Sequence, residues 1–406
     1  MNEVVLGSVL FIAIVLILSS IVVAARAFLL PANRIAVMVN GTRQLTGKAG
    51  SKLLDILADG GVPVPNACGG KGTCGQCRVT VHAGAGPVLP TEAARLTRRD
   101  VREGVRLACQ VTARNDLDVA VADEILGAES WTCRVVSSRT LSPLIREIIL
   151  DLPAGASFDF HAGAFVQVTA PPYALRFADY DIAPEHREAW DKFGLREMVS
   201  QSAVPVSRAY SVANRPRDEG RIVLLIRLAL PPPHVPGAPP GIVSSWLFGL
   251  KAGDTVDVAG PYGDFFARPT QREMVFIGGG VGMAPLRAII SDQLERVGTT
   301  RKLSFWYGAR SGIDLFYGEE FDALERKHAN FSWVPALSDP ARGDSWTGAV
   351  GFIHDVVLKD YLAGHPAPED CEYYLCGPPL MIKAVLAMLD EVGVDPESIF
   401  FDDFGV

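Results

Sequence analysis

The chain begins with an unbroken apolar run: Val4 to Ala25 carries no charged side chain over 22 positions. As a helix such a run spans roughly 33 Å, enough to cross a bilayer core. It predicts a single transmembrane anchor within residues 1–30. A cleaved signal peptide would want Lys or Arg ahead of the apolar stretch, and only Met1, Asn2 and Glu3 stand there. Arg26 and Arg34 follow the run, so the positive-inside bias places everything after it in the cytoplasm.

Past the anchor the periodicity changes twice. Over residues 31–127 it is mixed. Ile35–Asn40 alternates and ends in the hairpin dipeptide Asn40-Gly41, and Ser51–Ala58 reads as a helix capped by Ser51. Arg78–His82 and Asp116–Val121 read as strands, giving a small α+β domain. Residues 128–268 show short strands and turns, at Cys133–Ser137, Arg146–Leu152, Phe165–Ala170, Arg221–Leu228 and Thr255–Ala259. That rhythm predicts an antiparallel β-barrel, interrupted by a charged and aromatic insert, Pro172–Gln201, and a Pro-rich loop, Pro231–Pro240. Over residues 269–406 strands at Met274–Ile277, Lys302–Tyr307, Phe331–Ala336 and Glu372–Cys376 alternate with helical stretches. Alternation of that kind predicts an α/β domain on a parallel sheet covered on both faces. The chain is therefore expected to be multidomain.

Charge changes the picture by exclusion. The net charge of the 406 residues is -8, which argues against nucleic acid as a partner. Arg95, Arg98, Arg99, Arg102 and Arg106 form a local basic concentration with acidic residues interleaved, either a solvated helix face or a docking surface near Cys109.

The cysteines bring in chemistry. There are seven, four of them in one region as C-x5-C-x2-C-x31-C: Cys68, Cys74, Cys77 and Cys109. Four thiolates, three from one Gly-rich loop and one from a distant segment, suit a [2Fe–2S] cluster. A structural zinc site of four cysteines usually presents two close pairs, and only one such pair exists here. Cys133 and Cys371 read as small buried residues.

The loop resembles those of [2Fe–2S] ferredoxins, which implies a β-grasp fold for residues 31–127. Arg208-Ala209-Tyr210-Ser211 resembles the RxYS motif of ferredoxin–NADP reductase-like flavoproteins. There a guanidinium binds flavin diphosphate, an aromatic ring stacks on the isoalloxazine and a hydroxyl serves flavin N5. Ser244 and Ser245 open a helix that in this family meets the diphosphate of FAD.

Gly278-Gly279-Gly280-Val281-Gly282 sits at a strand-to-helix turn suited to a dinucleotide diphosphate, and resembles the family's GxGxxP turn as far as Pro285. Cys376-Gly377-Pro378-Pro379 matches the CGPP turn, whose cysteine lies by the nicotinamide. In this family the tail places an aromatic near the flavin, which the resemblance assigns to Phe404; from the residues alone it reads equally as a core-packing Phe. By resemblance Ser211, Cys376 and Phe404 are the expected catalytic residues. Arg310, Asp314, Glu319 and Glu320 leave NADH against NADPH open on residues, and the resemblance favours NADH.

The whole order is similar to the F subunits of bacterial Na+-translocating NADH:quinone oxidoreductases. The insert motif Phe177–Ile182 and the end Asp402-Asp403-Phe404-Gly405 add to it. This implies hydride transfer from NADH to FAD, then single electrons to the cluster and on to integral membrane subunits that reduce quinone and move sodium. It also implies a bacterial inner membrane location. The apolar run holds no ionisable side chain and forms no ion path by itself. Two other readings compete: the reductase component of a multicomponent oxygenase, and a cofactor-free zinc-binding adaptor.

Overall fold

The computed structural model describes residues 7, 10–21, 34–66, 68–218, 220–232, 235, 237–340 and 345–402. Residues 10–21 are helical and exposed. Among the described residues no helix is long and apolar enough to cross a membrane, and the expected span Val4–Ala25 lies partly outside them. The chain forms two compact units, Met1–Val64 with Cys77–Ala122, and Pro65–Gln76 with Asp123–Val406.

The first unit is a mixed sheet of β1 (Arg34–Val39), β2 (Arg43–Lys48), β3 (Arg78–Ala83), β4 (Val105–Leu107) and β5 (Leu117–Ala120), in the order β2-β1-β5-β3-β4. The parallel pair β1/β5 joins two antiparallel hairpin-like halves. A helix, Leu53–Asp59, buries Leu53, Leu54, Ile56 and Leu57, the i, i+1, i+3, i+4 set of one apolar face. Its start differs from the expected Ser51 cap. Lys52 holds the cap position with no side-chain capping bond, and the N–H groups of Leu53 and Leu54 donate instead to Val111 O (3.0 Å) and Ala108 O (3.1 Å). Main-chain partners from the Cys109 segment thus satisfy donors that a cap would otherwise take.

Arg106 departs from the expected basic surface. It is buried against the fully buried Glu92 in a two-pronged pair, Nε to Oε1 at 2.9 Å and Nη2 to Oε2 at 2.7 Å. Oε1 also accepts from the N–H of Leu107 at 3.1 Å, which fixes the strand that leads to Cys109.

In the second unit β6 (Glu129–Ser142), β7 (Ile145–Asp151), β8 (Phe165–Ala170), β11 (Val206–Ser211), β12 (Arg221–Arg227) and β13 (Thr255–Tyr262) form an antiparallel sheet, β11-β8-β13-β6-β7-β12. A bridge between Val212 and Leu224 joins the two edges, so the sheet closes as the barrel that strand spacing predicted. The charged and aromatic insert has elements of its own. It folds as β9 (Tyr173–Arg176) paired with β10 (Val199–Ser202), with a helix Pro184–Lys192 between. Phe177, Tyr180 and Trp190 pack into the barrel core with Phe248.

The remaining strands are β14 (Met274–Gly279), β15 (Leu303–Ala309), β16 (Phe331–Leu337), β17 (Ala349–Val350), β18 (Glu372–Cys376) and β19 (Ile399–Asp402). They form an all-parallel sheet, β17-β16-β15-β14-β18-β19. The chain winds outward from β14 to one side, then crosses back to lay β18 on the other, so the order reverses at β14/β18. A crevice opens at the carboxyl ends of the strands at such a reversal.

Replacing Glu92 by Ala leaves Arg106 buried and unpaired, and should destabilise the first unit by about 3–5 kcal/mol in a chemical denaturation experiment. Burial opposes ionisation of Glu92, but Arg106 and the N–H groups of Leu89 and Leu107 outweigh it and hold the pKa below the ordinary value. This contribution is present above the unfolded carboxylate pKa and is lost as pH falls through the folded one. Glu92→Ala should therefore flatten the acid side of the stability profile.

Candidate functional site

Several stretches of the second unit meet at one cavity of about 1640 Å³. Its volume exceeds the range of roughly 300–1,000 Å³ usual for one small-molecule site. Arg208, Tyr210 and Ser211 face it from β11, and Gly241 to Ser244 from the start of the helix Ile242–Phe248. Gly279, Gly280, Gly377 and Pro378 face it from the ends of β14 and β18. Both halves of the sequence expectation, barrel motif and nicotinamide turns, thus converge on the crevice that the strand order opens.

Geometry assigns the glycines different tasks. A Cβ on Gly282 would stand 1.9 Å from Cys376 O and 2.7 Å from Gly377 N, so only glycine lets the two turns touch. Gly280 has φ +57° with open space around it, and Tyr307 OH donates to its carbonyl at 3.0 Å. Gly278 is buried against Leu286, outside the lining. Among the expected dinucleotide contacts, Gly279 and Gly280 reach the cavity, whereas Gly278 and Gly282 serve packing.

The expected flavin residues sort in the same way. Arg208 donates to Ser207 O at 2.7 Å, and its guanidinium lies where a Cβ on Gly69 would come within 2.6 Å of it. Tyr210 is half-buried, and burial pushes its hydroxyl pKa up. Ser211 Oγ donates to Asp402 Oδ2 at 3.4 Å. Ser244 lines the cavity, yet its hydroxyl braces the crossing of two loops, accepting from Ala229 N (3.2 Å) and donating to Gly241 O (3.1 Å). Ser245 is wholly buried outside the lining, and its Oγ has no hydrogen-bond partner among the described residues. Cys376 is also wholly buried, in the core with Phe276 and Tyr374, while Gly377 and Pro378 after it reach the cavity. Phe404 lies outside the described residues.

Asp402 enters the sequence reading only as part of the end motif Asp402–Gly405, and that reading misses its place beside Ser211. β19 pairs in parallel with β18 and sets Asp402 opposite Cys376. An acidic side chain at the end of a short terminal strand gave no local signal; only the sheet register brings it to Ser211.

The cysteine loop fits a thiolate-bound cluster by its donors. Gly69, Gly70, Gly72 and Gly75 all have positive φ, between 66° and 85°, which lets the chain curl around the sulfurs. The Cys74 thiol and the N–H groups of Cys74 and Thr73 bond to Cys68 and hold its pKa below the ordinary thiol value, against burial. Cys74, which gives that bond, is held above the ordinary thiol range. Cys68, Lys71 and Thr73 also line the cavity. In the first unit Cys77 and Cys109 are buried. The N–H of Ala108 donates to Cys77 O at 2.8 Å, and Gln110 Nε2 to Cys109 Sγ at 3.3 Å. Amide donors aimed at sulfur are what such clusters use to set their potential.

Comparison with known families agrees along the chain. Residues 37–114 match the 2Fe-2S iron-sulfur cluster binding domain, 197–266 the Oxidoreductase FAD-binding domain and 276–387 the Oxidoreductase NAD-binding domain. The F subunit of the Na(+)-translocating NADH-quinone reductase of Klebsiella pneumoniae is 50% identical over 405 residues, 99% of this chain and 100% of that one. The protein of the same name from Methylococcus capsulatus is 49% identical over 406 residues, 100% of both chains. Among solved structures, an Amycolatopsis cytochrome P450 reductase superposes with TM-score 0.63 at 27% identity, covering 91% of this chain and 98% of its own. The ferredoxin reductase in carbazole 1,9a-dioxygenase gives 0.59 at 26%, covering 92% and 98%.

Gly282→Ala and Gly280→Ala separate packing from backbone conformation. Gly280→Ala should cost about 1–2 kcal/mol, for a left-handed residue in open space. Gly282→Ala forces two backbones apart and should cost more, with a raised KM for NADH. Equal denaturation midpoints for the two variants would contradict the contact described.

Proposed function

The chain belongs to the family of F subunits of Na(+)-translocating NADH-quinone reductases, and from that premise we propose which of its residues carry the electron path and how it is held at the membrane. The protein is an NADH-oxidising flavoprotein oxidoreductase whose path runs from NADH through FAD to a [2Fe–2S] cluster. Membership of a multisubunit complex implies membrane partner subunits. When bound, FAD converts a two-electron hydride into single electrons, and the cluster accepts them one at a time.

The convergence of the β11 motif and the two glycine turns on one cavity supports the residue assignment. Arg208 offers the guanidinium edge not used by Ser207 O to the FAD diphosphate. Tyr210 presents an aromatic face, and Ser211 a hydroxyl that Asp402 orients. Gly279 and Gly280 admit the NADH diphosphate at the end of β14, and Gly377 with Pro378 shapes the nicotinamide end. Cys376 positions that turn from the core rather than touching substrate. Cys68, Cys74, Cys77 and Cys109 are the cluster ligands.

The working boundaries are 31–127 for the cluster domain, 128–268 for the FAD barrel and 269–406 for the NADH domain. Each matched family segment falls inside one of them. The apolar run Val4–Ala25 supplies a single-pass anchor in the bacterial inner membrane, with the cofactor domains on the cytoplasmic side. Partner subunits in the same membrane carry electrons to quinone and couple them to sodium. The cytochrome P450 reductase and the ferredoxin reductase in carbazole 1,9a-dioxygenase align with 91–92% of this chain at 26–27% identity, well below the 48–50% of the F-subunit relatives.

A visible spectrum and low-temperature EPR of the protein, before and after NADH, test the path. Bleaching of a flavin band with a rhombic [2Fe–2S] signal is expected. A colourless, EPR-silent protein after reconstitution with iron, sulfide and FAD would overturn the reading. Cys77→Ala should abolish the cluster signal and keep NADH-dependent flavin bleaching. Ser211→Ala should slow that bleaching by about tenfold, the worth of one hydrogen bond, with the cluster signal intact.

A further inference from the structure

At the amino ends of the same parallel sheet, away from the cavity at its carboxyl ends, lies a second set of side chains with ligating chemistry. Glu273 precedes β14 and Cys371 precedes β18, and these strands are neighbours, with Met274 opposite Glu372. His365 reaches the same point from the loop after the 3-10 turn Leu362–Gly364. A carboxylate oxygen, an imidazole nitrogen and a sulfur lie within 4.8 Å of one another there.

We propose that Glu273, His365 and Cys371 form a metal site for a borderline divalent cation, with Zn(II) the best match, completed by a water molecule.

The distances suit such an ion. Glu273 Oε2 stands 3.2 Å from His365 Nε2, and His365 Nε2 stands 3.8 Å from Cys371 Sγ. In a tetrahedral zinc site with metal–ligand distances of about 2.0–2.3 Å, ligand atoms stand roughly 3.3–3.8 Å apart. One sulfur, one imidazole and one carboxylate select zinc over the hard cations, which take oxygen alone. A thiolate and a carboxylate also balance the charge of the ion.

The surroundings hold each ligand in place. Glu273 Oε1 accepts from Tyr361 OH and lies 3.3 Å from Lys302 Nζ, which leaves Oε2 directed at the histidine. Arg272 fastens the Cys371 backbone by donating to Glu369 O (2.7 Å), Asp370 O (2.6 Å) and Cys371 O (3.1 Å). Outer partners of this kind fix ligand orientation in metal sites. Glu273, His365 and Cys371 line a surface recess of about 450 Å³, so an ion has a way in.

Binding displaces protons in a defined way. Cys371 gives its proton to water. The ring proton of His365 moves from Nε2 to Nδ1, at the cost of the long Ala367 N–H to Nδ1 bond of 3.3 Å. No electron transfer is involved. The ion would clamp the lead-ins of two adjacent strands and the loop that follows the 3-10 turn Leu362–Gly364, so its effect is on stability rather than on hydride transfer.

The test uses the full-length protein with FAD and cluster in place, dialysed against Zn(II) at fixed free concentrations. Zinc, iron and flavin are then counted by elemental analysis and absorbance. One saturable zinc per flavin is expected at constant iron content, with a zinc-dependent rise in Tm. His365→Gln and Cys371→Ser should each weaken zinc binding by at least about tenfold and remove the Tm response. Glu273→Gln keeps a partner for Tyr361 and should weaken binding too. An unchanged flavin and cluster spectrum shows that each variant is folded. Zinc that does not saturate at one equivalent, or that all three variants bind as well as the parent, would overturn the proposal.

Discussion

The cofactor cavity depends on one contact, that of Gly282 with the carbonyl of Cys376. Parallel strands open a crevice only where their winding order reverses, and here that point is β14/β18. Two turns must pass each other there at van der Waals distance, and a single methyl group on Gly282 would separate them. Once the turns touch, Gly280 and Gly377 stand at the lip of the cavity, with no side chain to fill it. The barrel then has only to present β11 to the same opening. Closure of its edges through Val212 and Leu224, directly after Ser211, sets where that strand ends.

Strand periodicity exposed most of this architecture. The expected strand Glu372–Cys376 is observed with the same bounds, and Met274–Ile277 extends by two residues to Gly279. Buried parallel strands are continuous apolar runs and stand out against flanking helices. The insert could be read only as a charged and aromatic interruption, with no elements assigned to it. Its fold is decided instead by three aromatic side chains that find the barrel core, Phe177, Tyr180 and Trp190, a long-range event with no period to detect. The Ser51 cap failed for a related reason: the donors it would satisfy are taken by carbonyls that lie more than fifty positions away in sequence.

The motifs converge on one cavity, but they do not say which way each of their residues faces. The motifs Arg208–Ser211, Gly278–Gly282 and Cys376–Pro378 all fall at or beside the cavity, as the family resemblance implies. Within each, some positions face it and others hold the backbone that does so. Ser245 and Cys376 illustrate the difference: both belong to a motif, and both are wholly buried. A short motif records which residues travel together, not which way each side chain points, and alternation between wall and opening is fixed by packing behind the turn. Asp402 is the converse, outside the RxYS motif yet bonded to its serine through strand register.

The two ends of the parallel sheet divide the work of the domain by composition. The carboxyl ends carry glycine and proline, which leave room and expose backbone groups to a ligand. The amino ends carry a dense polar network. Arg301 and Glu372 form a buried pair at 2.5 Å, with Thr270 and Tyr374 also bonded to Glu372, and Glu273, His365 and Cys371 stand beside it. A turn made of glycines cannot fix its own position, since it has few side chains to pack. Its position is set by the Gly282–Cys376 contact and by the strands that carry it, which charged groups tie together at their amino ends. The open end of the sheet can therefore stay bare because the other end is tied.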